Sequence, residues 1–122
     1  MGRSMRGPDP LKAKLLERSC SQDWYFEFLK LGIIDIQSLT EVQEFILERP
    51  AIYAFWEGMS IVYVGMVKPT AKCRLKLWRK NPLCRYVSII PAQPGEMRVM
   101  RQFTSYAIEA LQPRLNLEGK KL

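Results

Sequence analysis

Two tyrosines stand ten residues apart in similar settings, Ala51-Ile52-Tyr53 and Tyr63-Val64-Gly65. Five cations follow within one short stretch: Lys72, Arg74, Lys76, Arg79 and Lys80. A phenol has an ordinary pKa near ~10, so it serves as a general base only beside a metal or cations that lower it. Lysine and arginine at this density offer what an anionic oxygen needs, phosphate above all. The chain has no histidine. That excludes imidazole bases, histidine zinc ligation and Ser-His or Cys-His nucleophile pairs. Its three cysteines, Cys20, Cys73 and Cys84, are odd in number and lack metal-type spacing. They read as free thiols of a reducing compartment.

The charge is unevenly placed. Residues 1–65 hold 7 Lys/Arg against 9 Asp/Glu, a net of −2, whereas residues 66–122 hold 12 against 3, a net of +9. The overall +7 therefore belongs to the second half. Such asymmetry suits a polyanionic partner, usually nucleic acid; a basic face kept only for solubility is the plainer reading. A chain of 122 residues suits one domain with a core that needs no staples. No apolar run approaches a membrane span, and the start MGRSMRGPDP lacks the apolar stretch of a secretion signal. These features predict an intracellular protein, cytoplasmic or nuclear, with no membrane partner.

The elements that would position these residues can be read from periodicity. Residues 1–10, rich in Gly and Pro, read as a disordered tail. A short helix is expected over residues 11–19, and another over 23–31 with Trp24, Phe28 and Leu31 in register, stopped by Gly32. Ser38-Leu39-Thr40-Glu41 has capping-box spacing. The helix it would open carries Leu39, Val42, Phe45 and Ile46, and Pro50 ends it. These front helices, residues 11–49, form either an extension of their own or a cover for one sheet face. Residues 51–56 and 60–65 then read as a hairpin around Glu57-Gly58-Met59. A basic helix over 71–80 ends at Asn81-Pro82, and a third strand covers 86–90. The last helix, about 96–112, aligns Met97, Met100, Thr104, Ile108 and Leu111 on a face widened by Phe103 and Ala107. The expected class is α+β: a small mixed sheet of about three strands flanked by helices.

Strand tyrosine, tight turn, strand tyrosine with glycine, basic helix, strand, helix and Pro113-Arg114-Leu115-Asn116 occur in one order over residues 50 to about 118. In this it resembles the GIY-YIG nuclease superfamily. The resemblance implies a domain over 50–122 and hydrolysis of DNA phosphodiesters with one divalent metal. It assigns Tyr53 and Tyr63 to the motif tyrosines, one acting as or near the general base. Gly65 falls on the glycine that lets backbone and substrate approach, and Ala51 replaces the first glycine. The family arginine is expected at position 73, where Cys73 stands; a one-residue insertion around Pro69 brings Arg74-Leu75 into place. Trp78 stands where many members carry histidine or tyrosine, and it cannot take up a proton. Pro113 and Asn116 match the late proline and the asparagine that helps order the site.

The family's metal-binding glutamate falls, without a gap, on Thr104, with Ala107-Ile108 where Leu-Ile belongs. Threonine is a poor sole ligand for a hard cation. Three carboxylates are candidate substitutes. Glu109 lies about 140° around the helix from Thr104, Glu96 suits the helix start, and Glu57 lies in the hairpin turn.

The leading expectation is thus a nucleic-acid-binding protein with a degenerate nuclease site and no cofactor. Lys68, Lys72, Arg74, Lys76, Arg79, Lys80, Arg98 and Arg101 would contact phosphates, Arg114 could extend that surface, and Trp78 and Tyr86 either stack on bases or pack the core. One alternative is an active endonuclease using Mg²⁺ or Mn²⁺ with an unusual ligand set, its site built on Tyr53, Tyr63, Arg74 and Asn116. Another is a protein-interaction domain that uses the N-terminal helices.

Overall fold

A computed structural model describes residues 21–92 and 94–122. The tail expected over residues 1–10, the helix expected over 11–19 and Cys20 lie outside the described residues. The rest is α+β: a four-stranded sheet with helices on both faces.

The hairpin forms because its β-branched and aromatic residues suit a pleated surface buried on both sides. Strand β2 (Ala51–Glu57) pairs with β3 (Ser60–Val67) across the turn at Gly58-Met59. Opposite partners are Tyr53 with Gly65 and Phe55 with Tyr63. The register then slips, and Trp56 faces Ile61. Val62 is the extra residue of a bulge, so Val62 and Tyr63 both turn toward the same core.

The sheet departs from expectation in two ways. It has four strands, and every pair is antiparallel. Strand β4 (Tyr86–Pro91) pairs with β2, and β1 (Ile34–Asp35) adds to the far side of β4, giving the order β1-β4-β2-β3. β3 and β4 run in the same direction, but β2 lies between them, so no parallel pair exists among the described residues. Two residues are too few to show a period of two, which hid β1 in the sequence. Cross-strand bonds hold it. Arg85 grips the Asp35 carboxylate through Nε and Nη2, both at 3.1 Å, and the Ile36 amide donates to the Arg85 carbonyl at 2.8 Å.

Alternation along β2 divides the interior. Tyr53 and Phe55 face one core with Tyr63, Leu75, Trp78, Val87 and Leu115; Ile52, Ala54 and Trp56 face the other with Val64, Met100, Phe103 and Ala107. The second core is covered by α1 (Ser21–Lys30) through Trp24 and Phe28 and by α4 (Met97–Leu111). Leu31, expected in the α1 face, is exposed because the helix stops at Lys30.

The first core is covered by a short 3₁₀ turn (Ala71–Arg74) running into α3 (Leu75–Arg79), and by α5 (Arg114–Leu117). The expected continuous basic helix is therefore two pieces. Helix α2 (Glu41–Ile46) begins later than its sequence signal. Its capping box joins Thr40 and Gln43 rather than Ser38 and Glu41. Val42 and Phe45, expected inward, point to solvent at 70% and 68% exposure, while Ile46 and Leu47 turn in.

Candidate functional site: a buried tyrosine pair beneath a basic layer

Residue 53 is an inward position of the central strand, so its ring enters the first core. There it meets Trp78 at 4.9 Å, Phe55 at 5.2 Å and Tyr63 at 6.2 Å between ring centroids, the last pair stacked. Tyr53 is 2% exposed and Tyr63 8%. The Tyr53 hydroxyl donates to the main-chain oxygen of Leu122 at 2.8 Å. Burial, and after it the neighbouring Tyr63 phenol, push the Tyr53 phenol well above the ordinary tyrosine range; the Arg74 charge offsets only part of this. Tyr53 is thus a neutral donor at physiological pH, the opposite of what a general base requires.

Gly65 sits across the ladder from Tyr53. A Cβ there would lie 2.7 Å from the Tyr53 hydroxyl oxygen and 2.8 Å from its Cζ. The space this glycine leaves is filled by the protein's own ring. The expectation that it admits a substrate is corrected accordingly.

Arg74 closes the 3₁₀ turn and reaches the same oxygen as Tyr53: its Nη1 donates to Leu122 at 3.0 Å. Cys73, the other candidate for that position, is exposed, and its thiol donates to the Thr70 carbonyl at 2.9 Å. Trp78, one turn on, is 2% exposed and packs on Tyr53 and Phe55; its indole N–H has no hydrogen-bond partner among the described residues. It is core, not a platform for bases. Tyr86 is exposed at the start of β4, between Asp35 and Trp56 of the neighbouring strands and under the Arg85 guanidinium at 5.2 Å. Asn116 imitates a strand: its Oδ1 accepts from the Val64 amide at 2.8 Å and its Nδ2 donates to the Val64 carbonyl at 2.9 Å. It fixes β3 between Tyr63 and Gly65. Pro113 is buried as the N-cap of α5 and delivers Asn116 one turn later.

Thr104 is not brought to this place. It shares a helix face with Met100 and Ala107, whose core lies across the sheet from the tyrosine rings. Its hydroxyl donates its proton to the Met100 carbonyl at 2.8 Å, within its own helix. Nor do the candidate substitutes converge. Glu57 is exposed and paired with Arg114 at 3.0 Å, Glu96 stands at the head of α4, and Glu109 is exposed on α4. Among the described residues no three His, Cys, Asp or Glu side chains cluster as a cation site would need. Phenols, a guanidinium and an amide are a poor donor set for Mg²⁺ or Mn²⁺, which take carboxylates and water. The residues present do not fit the metal that the family resemblance implies.

The cations divide by layer. Lys68, Lys72, Lys76, Arg79 and Lys80 are exposed on the tyrosine side. Lys72 lies 3.6 Å from Glu48, and Arg79 Nε reaches the Ile36 carbonyl at 3.5 Å. Arg98 and Arg101 are exposed on α4, in the opposite layer, so they do not continue this surface. Arg114 is engaged with Glu57 and Glu118.

Beside Arg74 lies a pocket of about 240 Å³ lined by Leu77, Trp78, Asn81, Cys84, Lys121 and Leu122. Lys121 and Leu122 were not recognised from the sequence. A main-chain acceptor has no side-chain signature. Burial pushes the Cys84 thiol up to about 11. Brief iodoacetamide treatment at neutral pH is therefore expected to label exposed Cys73 and spare Cys84, read by peptide mass spectrometry. Equal labelling would mean that the tyrosine core opens readily.

Comparison with protein-family models, curated proteins and solved structures gives no match. Among the described residues no helix is long and apolar enough to cross a membrane.

Proposed function

We propose that this chain is a nucleic-acid-binding module with a GIY-YIG-like site that no longer cleaves. The observation that carries this reading is the state of Tyr53. Its phenol is buried, held protonated and bonded to the chain's own Leu122 oxygen. With Tyr53 unavailable as a base and no carboxylates gathered at that place among the described residues, the site lacks the usual means to activate water. What remains is cationic. Five exposed Lys and Arg side chains lie between residues 68 and 80, outside the tyrosine core, and among the described residues no acidic side chain lines the pocket beside them. Such a surface grips backbone phosphates with little sequence preference.

A second reading has its own support. Val42 and Phe45 expose large apolar side chains one turn apart on α2, as a protein-docking helix would.

The test is fluorescence anisotropy with labelled linear, nicked and branched DNA across salt concentrations, alongside incubation with Mg²⁺ or Mn²⁺. Binding is expected to weaken with salt. Lys76→Gln with Lys80→Gln should flatten the log–log slope by about 0.9 for each phosphate no longer neutralised. The DNA should stay intact. Cleavage abolished by Tyr63→Phe would overturn the non-catalytic reading. Absence of salt-sensitive binding would favour the protein-docking one.

A further inference from the structure

Arg74 and Tyr53 form a convergent donor pair, and the protein supplies their acceptor itself. One oxygen, that of Leu122, takes the Tyr53 hydroxyl at 2.8 Å and Arg74 Nη1 at 3.0 Å. A guanidinium and a phenol aimed at one point are the donor set of an anionic oxygen, because bonds to charged acceptors are about twice as strong as neutral ones.

The segment carrying that oxygen is lightly held. It leaves α5 through Gly119, whose φ of +80° is a conformation that a side chain disfavours. Two backbone bonds tie it to α5: the Gly119 amide to the Asn116 carbonyl and the Lys120 amide to the Leu115 carbonyl, both 3.0 Å. It joins neither a helix nor the sheet. Its apolar anchor is Leu122, half-buried against the tyrosine core. Lys121 meanwhile stands in the same pocket lining as Arg74, and among the described residues no acidic side chain joins them there. Bringing like charges together favours either an arriving anion or the departure of the segment.

We propose that residues 119–122 are a displaceable strap that occupies the donor pair of Tyr53 and Arg74, and that a nucleic-acid phosphate competes with it. The proposal rests on the nucleic-acid reading above. Closed, the strap masks Arg74 and attenuates affinity. Open, it frees the guanidinium and the phenol and leaves Lys120 and Lys121 able to reach a neighbouring phosphate. The binding-competent fraction of molecules then sets the apparent affinity.

The double variant Gly119→Val, Leu122→Ser loosens the strap while preserving every side-chain charge. In anisotropy with a labelled DNA duplex it is expected to bind about fivefold tighter than the natural chain, as a rise in the competent fraction requires. Arg74→Ala should erase that gain. Hydrogen exchange on the natural chain gives a readout independent of the variant's folding. The Lys120 amide should lose protection when duplex saturates the protein. If the natural chain binds duplex with Lys120 equally or better protected, or if the folded variant binds no tighter, the strap is overturned and the nucleic-acid reading stands. If the natural chain and the variant both fail to bind, both proposals fall.

Discussion

Gly65→Ala is expected to lower the unfolding free energy by about 2–3 kcal/mol, the upper range for overpacking a filled core. The added methyl has nowhere to go. It would sit 2.7 Å from the Tyr53 hydroxyl oxygen, 2.8 Å from Cζ and 3.0 Å from Tyr63 Cε2. These atoms belong to rings wedged among Phe55 and Trp78, so they cannot swing aside as a flexible chain end would. Trimming Tyr53→Phe would not help, since Cζ remains. Tyr53→Val should relieve the clash while opening a cavity, so Gly65→Ala with Tyr53→Val should cost less than the two single changes together, by about 1–3 kcal/mol of coupling. Gly95→Ala is the control, because a Cβ there meets nothing within 4 Å. Urea unfolding of the four variants decides it. A Gly65→Ala cost no larger than that of Gly95→Ala would mean that the Tyr53 ring does not occupy the space over Gly65.

The same pair shows what was legible beforehand. The spacing of Tyr53, Tyr63 and Gly65 announced a hairpin, because residue type and alternation alone specify one. Which side each tyrosine faced depended on the bulge at Val62, a register slip that periodicity does not record. Counting back from Pro113 led to Thr104, a position on the last helix. A count along one helix cannot say which face of the sheet that helix covers, so Thr104 and Arg74 looked like neighbours and are not. The basic residues between 68 and 80 were evident as charge, but charge alone could not show that Arg98 and Arg101 stand on α4, in the opposite layer. Trp78 was undecided between stacking and packing, since an aromatic at helical spacing serves either role until its neighbours are known. The capping signal at Ser38 and Glu41 lost to Thr40 and Gln43, which repeat the same spacing two residues later; spacing alone does not choose between the two.

Thr104→Glu restores the residue type that the family resemblance calls for, and it is expected to yield no cleavage of DNA with Mg²⁺ or Mn²⁺. The new carboxylate would project from the helix face shared with Met100 and Ala107, into the core across the sheet from Tyr53, Tyr63 and Arg74. It would also be costly. Thr104 is 8% exposed, and its hydroxyl is satisfied by the Met100 carbonyl, which an ionised carboxylate cannot use because both are acceptors. An unpaired buried charge of this kind costs about 3 kcal/mol at neutral pH. The pH dependence gives the cause a signature. Burial raises the folded-state pKa of the introduced carboxyl above its unfolded value near ~4. The native state therefore holds the proton longer, and stability falls as pH rises from the unfolded pKa toward the folded one. Below that window the carboxyl is neutral in both states and the charge penalty vanishes. Thr104→Val, which keeps the shape and removes the charge question, should stay within about 1 kcal/mol of the natural chain. Denaturant unfolding at acid and neutral pH, with a cleavage assay on each variant, separates the outcomes. A well-folded Thr104→Glu protein that cuts DNA would mean that position 104 reaches the tyrosine site after all, and the two-layer separation of the cleavage residues would have to be abandoned.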